Sequence, residues 1–477
     1  MLNEFTTIHW FRQDLRIKDN PAFSEAQANG SLLALYHFEE ELPENDQLGG
    51  ASKVWLHHSL AALQQSLDNL LCITRGKALD QLKILIDKYQ IDQICWNKCI
   101  EPWRVRQDRQ IQVALETMGI KVSIFNGSYL WTQDEIKKDD GTPYKVFTPY
   151  YRKGCMNATS PREPLAAPLL DLIDASAHTI SIHELSLLPS KNWNHSIQKV
   201  WEIGESGAHE QLKRFTKSGI ENYKEGRNFP ADPYVSRLSP HLHWGEISPN
   251  QAWHAVEQKA SEINVAHFKS ELGWREFSAY LLHHNPTLQQ SNLQSKFDRF
   301  PWEENLQHLK YWQKGETGIP IVDAGMRELR ETGYMHNRVR MIVGSFLVKN
   351  LLLDWKLGEA WFRDCLVDAD HANNSASWQW VAGCGADAAP YFRIFNPISQ
   401  GKKFDPNGKY TKKYVTELKH MPNEFLFNPW EAPALTLKKA GLTLGKNYPF
   451  PIVDLKQTRE KALVAFASLK QGSHATP

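Results

Sequence analysis

Apolar and polar residues change period twice along this chain. Up to about residue 130, short continuous apolar runs alternate with stretches of helical period. "TTIHWF" (6–11) and "SLLALYHF" (31–38) are β-rich runs. "SKVWLHHSLAALQQSLDNLL" (52–71) repeats apolar residues at three and four, and "ALDQLKILIDKY" (78–89) does so again. A strand is predicted at "DQICWN" (92–97), a helix at "VRQDRQIQVALETMG" (105–119) and a strand at "KVSIFN" (121–126). This alternation predicts a parallel sheet flanked by helices. Beyond 130 the pattern weakens, and prolines at 143, 149, 161, 164, 168 and 189 punctuate it, which predicts a long surface connection. After about 200 the period is helical in "PNQAWHAVEQKA", "FKSELGWREFSAYLLHH", "IPIVDAGMRELRETGYM" and "RMIVGSFLVKNLLLDW". The expected fold is therefore α/β plus all-α: an α/β domain over 1–130, a linker over 131–200 and a helical domain over 201–477.

Composition narrows the class. The chain has 477 residues, a net charge of +1 and 42% hydrophobic residues, which is ordinary globular make-up for two or three domains. No apolar run reaches the roughly 20 residues of a membrane span. "MLNEFTTIHWF" lacks a charged segment followed by an apolar signal core, so a cytoplasmic protein is expected. The six cysteines are too scattered for a disulfide framework, and "CWNKC" (95–99) has no matching pair at metal spacing, so no metal site is expected. There are 17 tryptophans, an unusual share that invites a use for aromatic planes in stacking or electron transfer.

Four stretches carry candidate chemistry. In "VSRLSPHLHWGEISP" (235–249), Ser236, Arg237 and Ser239 precede Pro240 at a helix start, a combination suited to phosphate but also common in capped helices. In "ELGWREFSAYLL" (271–282), Glu271, Trp274 and Arg275 share a helical face, which alone reads as an ion pair beside a core tryptophan. "YMHNRVRM" (334–341) puts His336, Asn337, Arg338, Arg340 and Met341 at the entry to an apolar helix. "DADHANNSASWQWVAGCGADAAPYFRIFNPISQGKKFDP" (368–406) gathers carboxylates, amides, Trp378 and Trp380 ahead of a basic, aromatic run with Phe392 and Arg393. Carboxylates and amides suit the edges of a planar ligand, aromatics its faces, and basic residues a nucleic-acid backbone. The first strand is followed by "WFRQDLRI" and no G-x-G-x-x-G, which argues against the usual dinucleotide site there.

Taken with "WFRQDLRIKDNPAF", "TGIPIVDAGMRELRETGYMHNRVRM" and "ANNSASWQW", these motifs resemble the photolyase/cryptochrome family from residue 6 to about 465. The resemblance implies a light-driven flavoprotein with an α/β antenna domain, a long linker and a helical FAD-binding domain. On that pattern, Tyr223, Ser236, Arg237, Leu238 and Ser239 fall in the flavin phosphate loop. Phe268, Glu271 and Arg275 fall on the helix beside the cofactor. Asn337, Arg340, Asp368, Asp370 and Asn374 fall around the flavin ring and adenine. Trp378, Trp355 and Trp302 match a chain of tryptophans that carries an electron to the flavin. Arg227, Arg338, Arg393 and Lys403 fall where members meet DNA phosphates. Trp274 and Trp380 match the walls of a lesion pocket, and Met341 its floor.

The member most resembled is a class I-type cyclobutane pyrimidine dimer photolyase. The alternatives are a (6-4) photolyase and a cryptochrome photosensor. The (6-4) enzymes have two histidines where this chain has His336-Asn337. Dimer splitting needs one electron from excited, reduced FAD and polar groups on the pyrimidine carbonyls, for which Glu271 and Asn337 are the candidates. Asn374 at the position facing flavin N5 is photolyase-like, whereas plant cryptochromes have Asp and animal ones Cys. "SLKQGSHATP" is no long signalling tail. Where one folate-binding branch has an Asn-Glu pair, this chain has Trp103-Arg104. The antenna chromophore is left between methenyltetrahydrofolate and 8-hydroxy-deazaflavin, with a lean to the folate. Val235 replaces a common Thr and removes one hydroxyl from the phosphate loop. The expected partner is UV-damaged DNA, met by a monomer.

Overall fold

The computed structural model describes residues 5–28, 30–388, 390–391 and 393–471; Phe392 lies outside the described residues. It divides into two compact units. One takes Met1–Glu221, Ser236–Pro286 and Val367–Asp370, and the other Asn222–Val235, Thr287–Leu366 and His371–Pro477.

The first unit opens with β1 (Thr7–Phe11), α1 (Pro21–Ala28), β2 (Leu32–Phe38), α2 (Gly50–Ser66), β3 (Cys72–Arg75), α3 (Ala78–Tyr89), β4 (Gln93–Asn97), α4 (Pro102–Thr117) and β5 (Lys121–Phe125). All pairings are parallel, in the order β3-β2-β1-β4-β5. The strands β1 and β4 are buried along their whole length. That is why they read as unbroken apolar runs: helices cover both faces of a parallel sheet. Edge strand β5 leaves Lys121 and Ile124 exposed.

Two elements differ from the sequence reading. The run 52–71 is not one helix: α2 stops at Ser66, Asp68 and Asn69 take left-handed backbone (φ 51° and 63°), and β3 follows. Asp and Asn tolerate that conformation, so the polar pair is the break that the leucines on both sides hide. The short α1 was not anticipated. Pro21 opens it, and Asn20 caps it by accepting from Phe23 N at 3.2 Å.

From 131 to 200 the chain has no strand among the described residues, only short helical turns such as α5 (Phe147–Pro149) and α6 (His195–Val200). The unit continues with α7 (Glu205–Arg214) and, after the excursion 222–235 that holds α8 (Tyr223–Gly226), with α9 (Ser239–His243), α10 (Pro249–Ala255) and α11 (Glu262–His284). Two of the motifs found in sequence bind each other here. Leu15 N donates to Trp244 O at 3.1 Å, Arg16 Nη1 to Gly245 O at 2.9 Å, and Ser248 Oγ to Asp19. Gly245 has φ +67°, and a Cβ there would lie 2.1 Å from Gln13 O, so only glycine fits.

In the second unit α12 (Leu306–Lys314), α13 (Pro320–Thr332), α14 (Asn337–Ser345), α15 (Trp355–Cys365), α16 (His371–Ala382) and α17 (Pro397–Phe404) pack around a core of Met326, Leu329, Val339, Val343 and Phe362. Gly325 lets α13 and α14 close up, since a Cβ there would sit 2.4 Å from Val339 Cγ1. The fully buried Trp312 donates its indole N–H to Val343 O at 3.1 Å.

Candidate active site

The candidate residues of the first unit sit on the turn before α9, on α11 and on the segment 367–370. Arg237 takes left-handed backbone (φ 54°), which is costly for a residue with a Cβ, and its guanidinium lies 4.2 Å from the Trp201 ring. Ser236 O accepts from Gln211 Nε2 at 2.8 Å, and Leu238 is buried beneath the turn. Ser239 Oγ donates to Asp368 Oδ2 at 2.6 Å. Trp244 Nε1 donates to Val367 O at 3.0 Å, and Asp370 N to Asp368 O at 2.9 Å. These bonds bring the 236–239 turn and the 368–370 carboxylates together, although 129 positions separate Ser239 from Asp368 in the chain.

On α11, Phe268 is buried against Phe215, while Glu271, Trp274 and Arg275 are half-buried. Phe147 stacks on Trp274 with centroids 3.8 Å apart and planes 12° off parallel, so one indole face is already covered. Gly273 makes room for Tyr151, whose ring lies 2.5 Å from where a Cβ would be. Arg275 is committed within the unit: Nη1 donates to Ser128 O at 2.8 Å, Nη2 to Leu242 O at 3.4 Å, and the guanidinium lies 4.7 Å from the Tyr129 ring. It also pairs with buried Glu276 at 3.4 Å. Burial pushes the Glu276 carboxyl up to about 7, against the opposing pull of Arg275 and the Leu130 and Trp131 N–H groups.

In the second unit the "YMHNRVRM" stretch becomes the start of α14. His336 is the N-cap: its Nδ1 accepts from Arg338 N at 3.1 Å. Burial, reinforced by Arg227, Arg338 and Arg340 around the ring, holds the imidazole down to about 3, so it is neutral at physiological pH. Asn337 is exposed and Met341 half-buried one turn later. Arg338 donates to Asn228 and lies 4.3 Å from the Phe404 ring, where the Lys403 ammonium also lies, at 5.3 Å. Arg340 Nε donates to Met335 O at 2.7 Å. The Arg227 guanidinium is 5.6 Å from buried Tyr223. Arg393 and Lys403 are exposed.

On α16, Asn374 and Trp378 fall four apart and share a buried face, with Trp380 half-buried beyond them. The Asn374 amide nitrogen donates to Glu359 O at 3.0 Å and to Glu359 Oε1 at 2.9 Å. Only the nitrogen end can serve two acceptors, so Oδ1 is the end left to turn elsewhere. Burial raises the Glu359 carboxyl above its ordinary range. Trp378 packs on Phe362 at 5.0 Å and lies over Gly358, where a Cβ would be 2.2 Å from Cη2. That places it against α15 one turn past Trp355. The segment holding Trp302 is tied to the same region, because Glu303 N donates to Leu352 O at 2.8 Å. Residue spacing gave no sign of this convergence.

Sequence reasoning missed Glu359, Asn292 and Phe147. Glu359 had a signal: it is an acid on the buried face of α15. Asn292 sits in a loop without pattern, and Phe147 opens the one-turn α5 in the proline-punctuated stretch. A further polar array lies in the α/β part of the first unit. It sits at the carboxyl ends of β1 and β4, where the strand order reverses and such folds bind ligands. The Arg12 guanidinium lies 3.4 Å from the Trp10 ring and bonds Asp108 at 2.8 Å. Arg12 Nε, Trp96 Nε1, Glu101 Oε2, Trp103 Nε1 and Gln107 Oε1 are buried without a hydrogen-bond partner. Polar atoms stranded together at a switch point mark a place for a ligand.

With this geometry in view, comparison with known proteins is specific. Residues 7–169 match the DNA photolyase family, and residues 268–468 match the FAD binding domain of DNA photolyase. The chain belongs to the DNA photolyase family. Over 473 residues it is 44% identical to a deoxyribodipyrimidine photo-lyase of Agrobacterium fabrum, covering 97% of this chain and 98% of that one. A bacterial class III photolyase from Agrobacterium tumefaciens superposes with a TM-score of 0.95 at 43% identity, covering 99% of each chain. Cryptochrome-1 of Arabidopsis thaliana is 33% identical over 98% of this chain and 70% of its own length. In this chain a parallel five-stranded α/β part precedes a helical part that matches the FAD-binding model.

Proposed function

We propose that this chain is a light-dependent deoxyribodipyrimidine photo-lyase that splits cyclobutane pyrimidine dimers in DNA. Its whole-length likeness to the Agrobacterium fabrum enzyme carries the reading. On the likeness to the Agrobacterium tumefaciens structure we place it with class III rather than the class I type expected from motifs.

The residues present fit FAD. In the first unit Ser236, Arg237, Leu238 and Ser239 form a turn with hydroxyls and a guanidinium for a diphosphate, beside Asp368 and Asp370. Phe268 supports that helix face, and Arg275, with two nitrogens spent on carbonyls, holds α11 in place. In the second unit Tyr223, Arg340 and Asn374 are the binding candidates, with Asn374 offering an amide oxygen because Glu359 holds its nitrogen. When bound, FAD supplies light absorption and the single electron. Trp378, Trp355 and Trp302 return an electron when the cofactor is oxidised.

On the lesion, Glu271 hydrogen-bonds a pyrimidine carbonyl, and the Trp274 face not taken by Phe147 stacks on a base. Asn337 contributes an exposed amide, Met341 an apolar contact and Trp380 a second aromatic face. Stacking worth about 1–3 kcal/mol per base offsets a flipping cost of a few kcal/mol, which a distorted dimer lowers. Arg227, Arg338, Arg393 and Lys403 meet DNA phosphates. The stranded polar atoms near Arg12 hold the antenna chromophore. We favour methenyltetrahydrofolate, whose pterin edge carries both donors and acceptors, over 8-hydroxy-deazaflavin; extraction and absorption spectroscopy separate them. Among the described residues no helix is long and apolar enough to cross a membrane, and we propose a cytoplasmic monomer.

The test is illumination with DNA carrying cyclobutane dimers and, separately, (6-4) products. Repair of the dimers alone is expected. Repair of neither would make the chain a photosensor of the cryptochrome kind, and repair of (6-4) products would overturn the role given to Asn337.

A further inference from the structure

Trp355 is fully buried at the start of α15, and its indole N–H donates to Asn292 Oδ1 at 2.9 Å. The Asn292 amide nitrogen donates in turn to Asp298 Oδ1 at 2.7 Å. The pair fixes the amide: its nitrogen faces a carboxylate, so its oxygen must face the indole. Asn292 is half-buried, and exposed Asp298 belongs to the short helical turn Ser295–Arg299.

We propose that Asn292, oriented by Asp298, is a positioning residue that stabilises the oxidised form of Trp355 and thereby sets how far an electron hole travels. This rests on the reading that Trp378, Trp355 and Trp302 form the electron route. An indole that has lost an electron is positively charged, and its N–H becomes a charge-assisted donor, roughly twice as strong as a neutral one. The acceptor therefore favours the oxidised over the resting indole. In the step itself, Trp378 would give one electron to bound, oxidised FAD under light. Trp378 regains one from Trp355. The Trp355 proton stays on the indole nitrogen, since an amide oxygen is no base, and is shared with Asn292. The hole passes to Trp302 and is filled there by an external thiol. The exposed Lys356 ammonium, 6.0 Å from the Trp355 ring, opposes the oxidised state. Water screens it, whereas the hydrogen bond is direct.

The experiment is transient absorption of the chain loaded with oxidised FAD, reading the fraction of holes that outlive return from Trp378. Asn292→Leu should lower that fraction about five-fold, the size of one lost hydrogen bond. The swap Asn292→Asp with Asp298→Asn, which keeps an acceptor on the indole and a hydrogen bond between the two side chains, should keep at least the parent fraction, which a packing defect at this site would not. Asp298→Asn should give a smaller loss than Asn292→Leu. A parent-like fraction in Asn292→Leu, with Trp355→Phe abolishing long-lived holes, overturns this inference alone. A parent-like fraction in Trp355→Phe overturns the electron route beneath it.

Discussion

Gly358 decides where one indole can lie. The Trp378 ring occupies the volume a side chain would take there, so Gly358→Ala must displace Trp378 or open α15. The expected cost is about 1–3 kcal/mol in urea unfolding, together with slower photoreduction of oxidised flavin. Trp378→Phe should slow photoreduction at least tenfold while leaving urea stability within about 1 kcal/mol of the parent. His336 makes a third prediction at this scale. Its folded pKa of about 3 lies below the unfolded 6.5, so its contribution is full above pH 6.5 and is lost as pH falls toward 3. In His336→Asn, thermal unfolding followed from pH 7 to pH 4 should fall less steeply than in the parent. Residues related by helical spacing, such as Glu271 with Trp274, were legible in the sequence as neighbours. Residues brought in by loops were not: nothing near Asn292 announces a partner 63 positions away.

The helix α11 shows what one element can carry. Its lower half packs as ordinary core, with Phe277, Ala279 and Leu282 buried, and its upper half presents Glu271 and Trp274. Between them Arg275 and Glu276 tie it to the 128–131 turn. Arg275 also pairs with its neighbour Glu276. Because the Glu276 folded pKa of about 7 exceeds the usual carboxyl value of 4.5, the folded chain holds a proton that the unfolded chain releases between those values. Stability from this group is therefore present below pH 4.5 and lost as pH rises through 7. Glu276→Gln should raise the unfolding free energy at pH 8 by up to about 3 kcal/mol and change it little at pH 4. Element types over the sheet were legible because buried parallel strands leave apolar runs. The break between α2 and β3 was not, because leucines continue across it.

At the scale of the molecule, exposed Arg393 and Lys403 should govern affinity without governing specificity. Replacing both by alanine should weaken damaged and undamaged DNA alike and lower the salt slope of binding by about 2, read by fluorescence anisotropy from 50 to 300 mM salt. The α/β plus helical architecture was legible from period alone, and the pairing of the "WFRQDLRI" and "HLHWGEIS" motifs was not, since more than 220 residues separate them.

That pairing also bears on how the chain comes off the ribosome. The first unit is finished only by Val367–Asp370, whose Asp368 accepts from Ser239 and whose Val367 accepts from Trp244. By the time those four residues emerge, the segments 222–235 and 287–366 have already been made. The nascent chain must therefore keep a nearly complete first unit waiting, with Ser239 and Trp244 lacking their acceptors, while the segment 287–366 is made. Ribosome-bound chains stalled before residue 367 should bind trigger-type chaperones, and those stalled well beyond 370 should not.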